Sequence, residues 1–386
     1  MTMILTKKVV LFYPFPLLSH YLRCLVLAKT YDDTEYEIYF LSAKEYNAFV
    51  FEHGYQVFDG KQFNAEEVMQ CSNRFDFSWL NATDLQEVML DQVRAIKALK
   101  ADLVIGDMAP SLKMAATLTS VHHISLLNGY MTKYYQFTRK ISKRHKAYGL
   151  LQALPPSLEN IFTGLGERLA FYHIQKNFNQ VRKKHGLPLL ADYLIEIEGD
   201  ETFICDSPIL FPLKSLPKSY KVVGPLIYDV PPMSEHLLNS AIGDKPVICI
   251  CMGSTGNWDA LRFLNDDYYS KYAVITTGDA KKVLSASHII SFSFINLDQV
   301  LQRTKLMICH GGNGTVYTGI KNNVFMLCLS SHFEQEWNIS AVEKMGYGKS
   351  ADHFSQLIWK QEIARYAEPL PTKPLLELET AIVFPA

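Results

Sequence analysis

The stretch with the most chemistry in it is His310-Gly-Gly-Asn-Gly-Thr315. Ahead of it, Lys305 to Cys309 is a short apolar run that reads as a buried strand, and from Val316 the pattern turns helical. A strand, a glycine turn and a helix N-terminus together make an anion site. Glycines let the backbone approach a phosphate closely, and the first N–H groups of a helix have no intrahelical acceptor. The helix dipole adds to the attraction, and Asn313 and Thr315 carry further donors. His310 closes the strand within reach of the same ligand. The plainer reading is an ordinary turn with glycine entry, since a glycine turn alone has low specificity. The chain beyond the turn weighs against that reading. It runs through an amphipathic helix and an apolar strand from Val324 to Leu329, then Ser330-Ser-His-Phe-Glu-Gln-Glu-Trp-Asn338.

The elements that must position this turn belong to a repeated pattern. Lys8 to Tyr13 is an unbroken β-branched and aromatic run, as expected of a central parallel strand, and Pro14 and Pro16 end it. Ser19 reads as the cap of a helix from His20 to Thr30. Strands at 36–41, 102–106 and 123–127 alternate with helices at 43–53, 84–100 and 113–119, the doubly wound pattern. Residues 64–79 are polar and aromatic without a clear period, and a long amphipathic helix is expected over 165–185. The pattern restarts at Lys245 to Met252, followed by Gly253-Ser254-Thr255-Gly256, with later strands at 272–277 and 289–295. The chain of 386 residues exceeds one small core, so two domains are expected: 1–225, a linker at 226–244, 245–365, and a tail at 366–386.

Composition excludes some partners. Lys+Arg 38 against Asp+Glu 39 gives a net charge of −1, so nucleic acid is not expected as a partner. Seven cysteines show no CxxC pair and no metal spacing, which points to free thiols and a reducing compartment. Lys7 and Lys8 follow the apolar N-terminal residues, the wrong order for a signal peptide, and no apolar run approaches the ~20 residues of a spanning helix. A cytoplasmic protein of unknown oligomeric state is the expectation. One segment stands apart: Thr138 to His145 is basic and Tyr148 to Leu154 is apolar. It reads either as a solvated face beside a core segment or as a peripheral contact with a membrane or lipid-linked acceptor.

The run from His310 to Gly348 resembles the donor-binding signature of nucleotide-sugar-dependent glycosyltransferases of the UDP-glycosyltransferase and macrolide-glycosyltransferase type. The resemblance implies the GT-B fold: two Rossmann-like doubly wound α/β domains facing across a cleft, with the tail at 366–386 crossing back to the first domain. It implies a donor diphosphate on His310, Gly312, Asn313, Gly314, Thr315 and Ser254, with sugar hydroxyls on Glu334 and Gln335. Phe294 matches the aromatic residue that stacks on the donor base, and Ile295 the backbone that pairs with its edge. In the first half, His20 matches the general base and Asp107 the carboxylate that orients it, with Ser19 in place of the usual Gly. The implied activity is inverting, metal-independent transfer of a sugar from a UDP- or dTDP-sugar to a hydroxyl of a small hydrophobic, aromatic or lipid acceptor. No cofactor or metal is expected, and no Asp-x-Asp motif occurs.

The chain departs from the family at four places. Thr318 stands where a Glu usually binds the ribose hydroxyls, which leaves nucleotide identity open and keeps a deoxyribose donor in view. Asn296-Leu297 replaces Pro-Gln, Asn323-Val324-Phe325 replaces Gly-Val-Pro, and Ser331-His332 replaces apolar or prolyl residues. Two alternatives stay open at this level: a non-catalytic nucleotide-sugar-binding or partner protein, and a sugar-nucleotide epimerase. A dinucleotide dehydrogenase is excluded, since Pro14 to His20 contains no glycine.

Overall fold

The computed structural model describes residues 7–253 and 255–367. They fall into two compact units that meet in the chain between Tyr228 and Asp229. Ser254 and the tail beyond Ala367 lie outside the described residues.

The first unit is a seven-stranded parallel sheet. Its strands are β1 (Lys8–Pro14), β2 (Tyr36–Leu41), β3 (Gln56–Phe58), β4 (Leu103–Asp107), β5 (His122–Leu127), β6 (Glu201–Ile204) and β7 (Tyr220–Val222), in the order β3-β2-β1-β4-β5-β6-β7. The connections are α1 (Leu18–Ala28), α2 (Asn47–Glu52), α3 (Ala65–Ser72), α4 (Ala82–Leu99), α5 (Leu112–Thr119), α6 (Tyr148–Gln152), α7 (Pro156–Lys184) and α8 (Tyr193–Glu196). The order reverses at β1, beside β4, the kind of switch point where open α/β sheets bind ligands. Val10 and Phe12 of β1 bury against Tyr21, Cys24 and Leu25 of α1, which is why β1 has no polar face.

Register does the positioning. Pro14 pairs with Asp107, and the Phe15 N–H donates to the Asp107 carbonyl at 2.8 Å, so the chain leaves β1 directly beside the end of β4. The helix that comes next begins at Leu18, before the expected Ser19 cap has any role: Leu17 occupies the cap position and makes no side-chain bond. Ser19 is therefore helical, outside positive φ, which is why it stands in for glycine without strain. Residues 64–79 contain a helix the pattern did not reveal, α3, capped by Asn64 through the N–H groups of Glu66 and Glu67. α7 begins at Pro156 rather than 165, and runs 29 residues.

The second unit is a six-stranded parallel sheet. Its strands are β8 (Val247–Cys251), β9 (Ala273–Thr277), β10 (Ile289–Phe292), β11 (Thr304–Cys309), β12 (Phe325–Cys328) and β13 (Gly348–Ser350), in the order β10-β9-β8-β11-β12-β13. Helices α9 (Glu235–Ile242), α10 (Leu297–Leu301), α11 (Asn313–Lys321), α12 (Phe333–Lys344) and α13 (Gln356–Ala367) accompany it. The segment expected as a linker thus contains α9, which buries Leu238 and Ile242. β10 ends at Phe292, short of the expected 295, so Phe294 and Ile295 lie in the loop after it. Cys309 pairs with Cys251 on one side and Cys328 on the other, so the turns after β8, β11 and β12 emerge together at one edge. Ile248, Ile250, Leu306, Ile308 and Leu327 fill the core with Trp359 and Ile363 of α13. All seven cysteines are free.

Candidate functional site

In the first unit, α1 brings His20 to the end of β4. Its Nδ1 lies 3.0 Å from Oδ1 of Asp107, a close polar contact whose angle falls short of an aligned hydrogen bond. The Phe15 ring meets the imidazole edge-on at 5.7 Å and fixes its plane. Asp107 is fully buried. Burial would push its carboxyl up, but the Arg23 guanidinium and the His20 ring outweigh that and hold it at about 2. Arg23, one turn after His20, grips both carboxylate oxygens: Nε donates to Oδ2 at 2.7 Å and Nη2 to Oδ1. Its Nη1 donates to Asn128 Oδ1 at 2.6 Å. Met108, next to Asp107, takes a left-handed φ of +53°, a strained backbone held beside the buried carboxylate.

Arg23 is the member of this cluster that sequence reasoning missed. The signal was present: a charged residue on the face of α1 that otherwise carries Tyr21, Cys24 and Leu25. A buried arginine needs a buried partner, and Asp107 is it.

In the second unit, the glycine turn is built by contacts rather than by composition. Gly311 has φ +78°, and a Cβ there would come within 2.7 Å of Ile339 on α12. The His310 ring fills the space between Gly253 and Gly312, where any side chain would collide with it. His310 is buried, and its Nδ1–H donates to the Cys251 carbonyl at 3.2 Å. α11 starts at Asn313, earlier than the expected Val316, with Gly312 at the cap. Its first intrahelical bond runs from Val316 N–H to the Gly312 carbonyl at 2.9 Å. The N–H groups of Asn313, Gly314 and Thr315 therefore precede the helical ladder. Gly314 faces open space, with nothing within 4 Å of where a Cβ would stand.

The neighbouring residues hold this turn. Asn338 donates to the Gly311 carbonyl at 2.9 Å. Gln335 is buried; its amide donates to Thr255 Oγ1 at 2.9 Å and its carbonyl accepts from Ser331 N–H at 2.6 Å. Glu334 stands beside it, half-buried in the first turn of α12. Thr315 Oγ1 lies 3.6 Å from Cys251 Sγ. Thr318 is turned inward: it is buried, and its hydroxyl donates to the Gly314 carbonyl at 2.8 Å. Phe294 is exposed in the loop after edge strand β10, which lies three strands from β11, and Ile295 is buried. Two departures find local reasons. Asn296 caps α10 through the Gln299 N–H. Asn323 takes φ +52°, the left-handed conformation that glycine would supply and Asn tolerates best. Among the described residues no group of three or more His, Cys, Asp or Glu is placed to hold a metal ion.

No family model matches the chain. Among curated proteins, it is 23% identical over 342 residues to a PGL/p-HBAD biosynthesis rhamnosyltransferase of Mycobacterium bovis (strain BCG / Pasteur 1173P2), a match over 86% of this chain and 74% of that one. Among solved structures, the spinosyn forosaminyltransferase SpnP superposes with a TM-score of 0.64 at 16% identity, over 94% of this chain and 91% of that one. The glycosyltransferase VinC, solved in complex with DTDP, superposes at 0.61 and 16% identity, over 94% and 92%. The chain is a divergent glycosyltransferase of the GT-B fold.

Burial also gives this glycosyltransferase a pH dependence. Burial pushes the His310 imidazole down to about 4, against the pull of the Cys251 carbonyl. Burial, reinforced by Lys113 and His122, pushes His123 down to about 3. In the unfolded chain both take up protons near 6.5. The unfolded state thus binds more protons as pH falls, and stability is lost from about pH 6.5 downward until the folded values are reached. Between about pH 8 and pH 5 the two groups together cost roughly 4 kcal/mol. Asp107 is depressed instead, so its contribution, present above the ordinary carboxylate range, is lost later, as pH falls toward 2. Urea unfolding at about pH 8 and pH 5 measures the first loss; equal stability at the two would contradict neutral burial of these rings.

Proposed function

We propose that this glycosyltransferase works by direct displacement with inversion, without a metal. The acceptor hydroxyl oxygen attacks the anomeric carbon of a nucleotide-diphosphate sugar and passes its proton to His20. The bond from that carbon to the diphosphate oxygen breaks, and the nucleoside diphosphate leaves. The observation that carries this reading is the 3.0 Å contact of His20 Nδ1 with a buried, ionised Asp107. With Nδ1 facing the carboxylate, Nε2 is the nitrogen free to take the proton. On the donor side, the N–H groups at the start of α11 and the open position at Gly314 suit a diphosphate, and they would stabilise its charge as it departs. The positive end of the helix then does the work a divalent cation does elsewhere. Glu334 and Gln335 are assigned to the sugar hydroxyls, Phe294 and Ile295 to the base, and Ser254 to the diphosphate, each by its match to the family motif.

The donor is a dTDP-linked deoxysugar such as rhamnose in this reading. Thr318 spends its hydroxyl on the Gly314 carbonyl and offers no carboxylate to a ribose diol. A deoxyribose lacks one of the two hydroxyls that a carboxylate there would hold. The VinC complex with DTDP and the rhamnosyltransferase name of the Mycobacterium bovis relative agree with that choice. The acceptor is a hydroxyl on a small hydrophobic or aromatic molecule, or on a lipid. Thermal shift with paired nucleotides tests the donor: dTDP raises the melting temperature at lower concentration than UDP, and addition of EDTA changes neither shift. A clear UDP preference removes the deoxyribose argument.

A further inference from the structure

The helix α7 has two apolar faces, and only one is covered. Phe171, Ile174, Phe178 and Val181 bury toward the first unit's core. Leu158, Ile161, Phe162, Leu165, Leu169 and Tyr172 are exposed, at 42–60% of their surface. At 100° per residue these six fall within about 100° of arc, opposite the buried stripe, and run along about 21 Å of helix. Single exposed apolar residues are ordinary; a continuous helical stripe of six is not. α6, just ahead of it in the chain, is equally bare: none of its residues is buried, and Leu150 is 73% exposed. The segment 148–154 is therefore not the core segment that its apolar composition suggested.

What surrounds the stripe selects its occupant. Between Arg139 and Lys176 the chain carries seven Lys and Arg against two Glu, while the whole chain has a net charge of −1. Lys140, Lys143, Arg144 and Lys146 are all exposed in the loop ahead of α6. That loop is fastened to α7 at its root. Arg139 ion-pairs with Glu167 and donates to the carbonyls of Tyr130 and Thr132, and its guanidinium lies 5.7 Å over the Phe171 ring. A basic loop anchored to a helix with a bare apolar stripe combines the two attractions a peripheral anchor needs: burial of apolar side chains at the acyl boundary and attraction to acidic headgroups. Among the described residues no helix is long and apolar enough to cross a membrane.

We propose that the α6–α7 face docks on the surface of an anionic bilayer, with the stripe of α7 dipping into the headgroup boundary and the 140–146 loop on acidic headgroups. The mode of contact is peripheral and salt-sensitive. Each exposed Lys or Arg near such a surface strengthens partitioning about five-fold.

Flotation of the full chain with vesicles tests it, using phosphatidylcholine alone and phosphatidylcholine with phosphatidylglycerol. The chain is expected to float with the acidic vesicles, to stay behind with the neutral ones, and to be released by high salt. Lys143→Gln with Arg144→Gln is expected to weaken partitioning roughly twenty-five-fold. Leu165→Glu with Leu169→Glu is expected to abolish it. Both pairs are exposed, so an unchanged melting temperature shows that the fold is kept. Three results overturn the proposal. One is no flotation with acidic vesicles together with a dimer that Leu165→Glu/Leu169→Glu dissociates, which gives the face to a second copy. Another is flotation seen only after residues 368–386 are deleted, which gives it to the chain's own tail. The third is equal flotation with neutral vesicles.

Discussion

Replacing His20 with alanine is expected to lower the turnover of sugar transfer roughly a hundred- to ten-thousand-fold while leaving nucleotide binding intact. α1 delivers His20 to the end of β4 because Pro14 pairs with Asp107 and the chain turns back at once. Asp107 is buried and held ionised by Arg23, so it is present as a carboxylate throughout the neutral range. A carboxylate beside Nδ1 selects the tautomer with its proton there and stabilises the imidazolium that forms as Nε2 accepts a proton. The diphosphate contacts, by contrast, are assigned to α11 in the second unit, so His20→Ala should not move them. Steady-state kinetics with a dTDP-sugar, paired with a dTDP thermal shift on the same preparation, reads both halves. Turnover within a factor of ten of the parent, with dTDP binding retained, would remove His20 from the role of base.

Asp107→Ala is expected to cost about 3–5 kcal/mol of stability as well as activity. Its carboxylate accepts two bonds from Arg23, which is itself buried between α1 and the sheet. Removing the carboxylate leaves a buried guanidinium with only Asn128 as a side-chain partner in this cluster. The cost is that of the stranded charge, not of the lost pair. Arg23→Met together with Asp107→Asn should therefore recover most of the stability, because both charges leave at once. For a unit of this size the single change should lower the melting temperature by roughly 10 °C. Calorimetry of the single and double variants makes the comparison. A single variant within about 1 kcal/mol of the parent, or a double variant no better than the single, would contradict the buried ion pair.

What could be read from the sequence depends on burial. β1, β4, β8 and β11 are central strands covered on both faces, so each is a nearly pure run of β-branched, aliphatic or aromatic residues and declares itself. The glycine turn was legible for a related reason: close backbone approach admits only glycine at Gly311 and Gly312, and the spacing survives in the sequence. Elements stabilised by other means were not legible. α3 is polar, and its only signal is the Asn64 cap with Glu66 and Glu67 in the first turn. The first half of α7 carries Gly164 and Gly166, and Pro155-Pro156 read as a stop although Pro156 is the first helical residue, where proline fits. Arg23 shows locally only as a charge on an apolar helix face; its pairing with Asp107 is a long-range contact across 84 positions of chain, which no local pattern encodes. Ser254 matches the family motif but lies outside the described residues.

The donor half of the proposed reaction stands on the start of α11 holding the diphosphate of a nucleotide sugar. The most direct measurement is a calorimetric titration of dTDP into the parent chain and into Gly314→Asp. Nothing lies within 4 Å of where a Cβ would stand at Gly314, in the first turn of α11, so a side chain can start there, and an aspartate suits the positive end of the helix. The variant should fold with unchanged or slightly raised stability, yet place a negative charge where the diphosphate would lie. One dTDP site per chain is expected in the parent and no measurable binding in Gly314→Asp. Equal dTDP affinity in the two, or a parent that binds no nucleoside diphosphate, would contradict it.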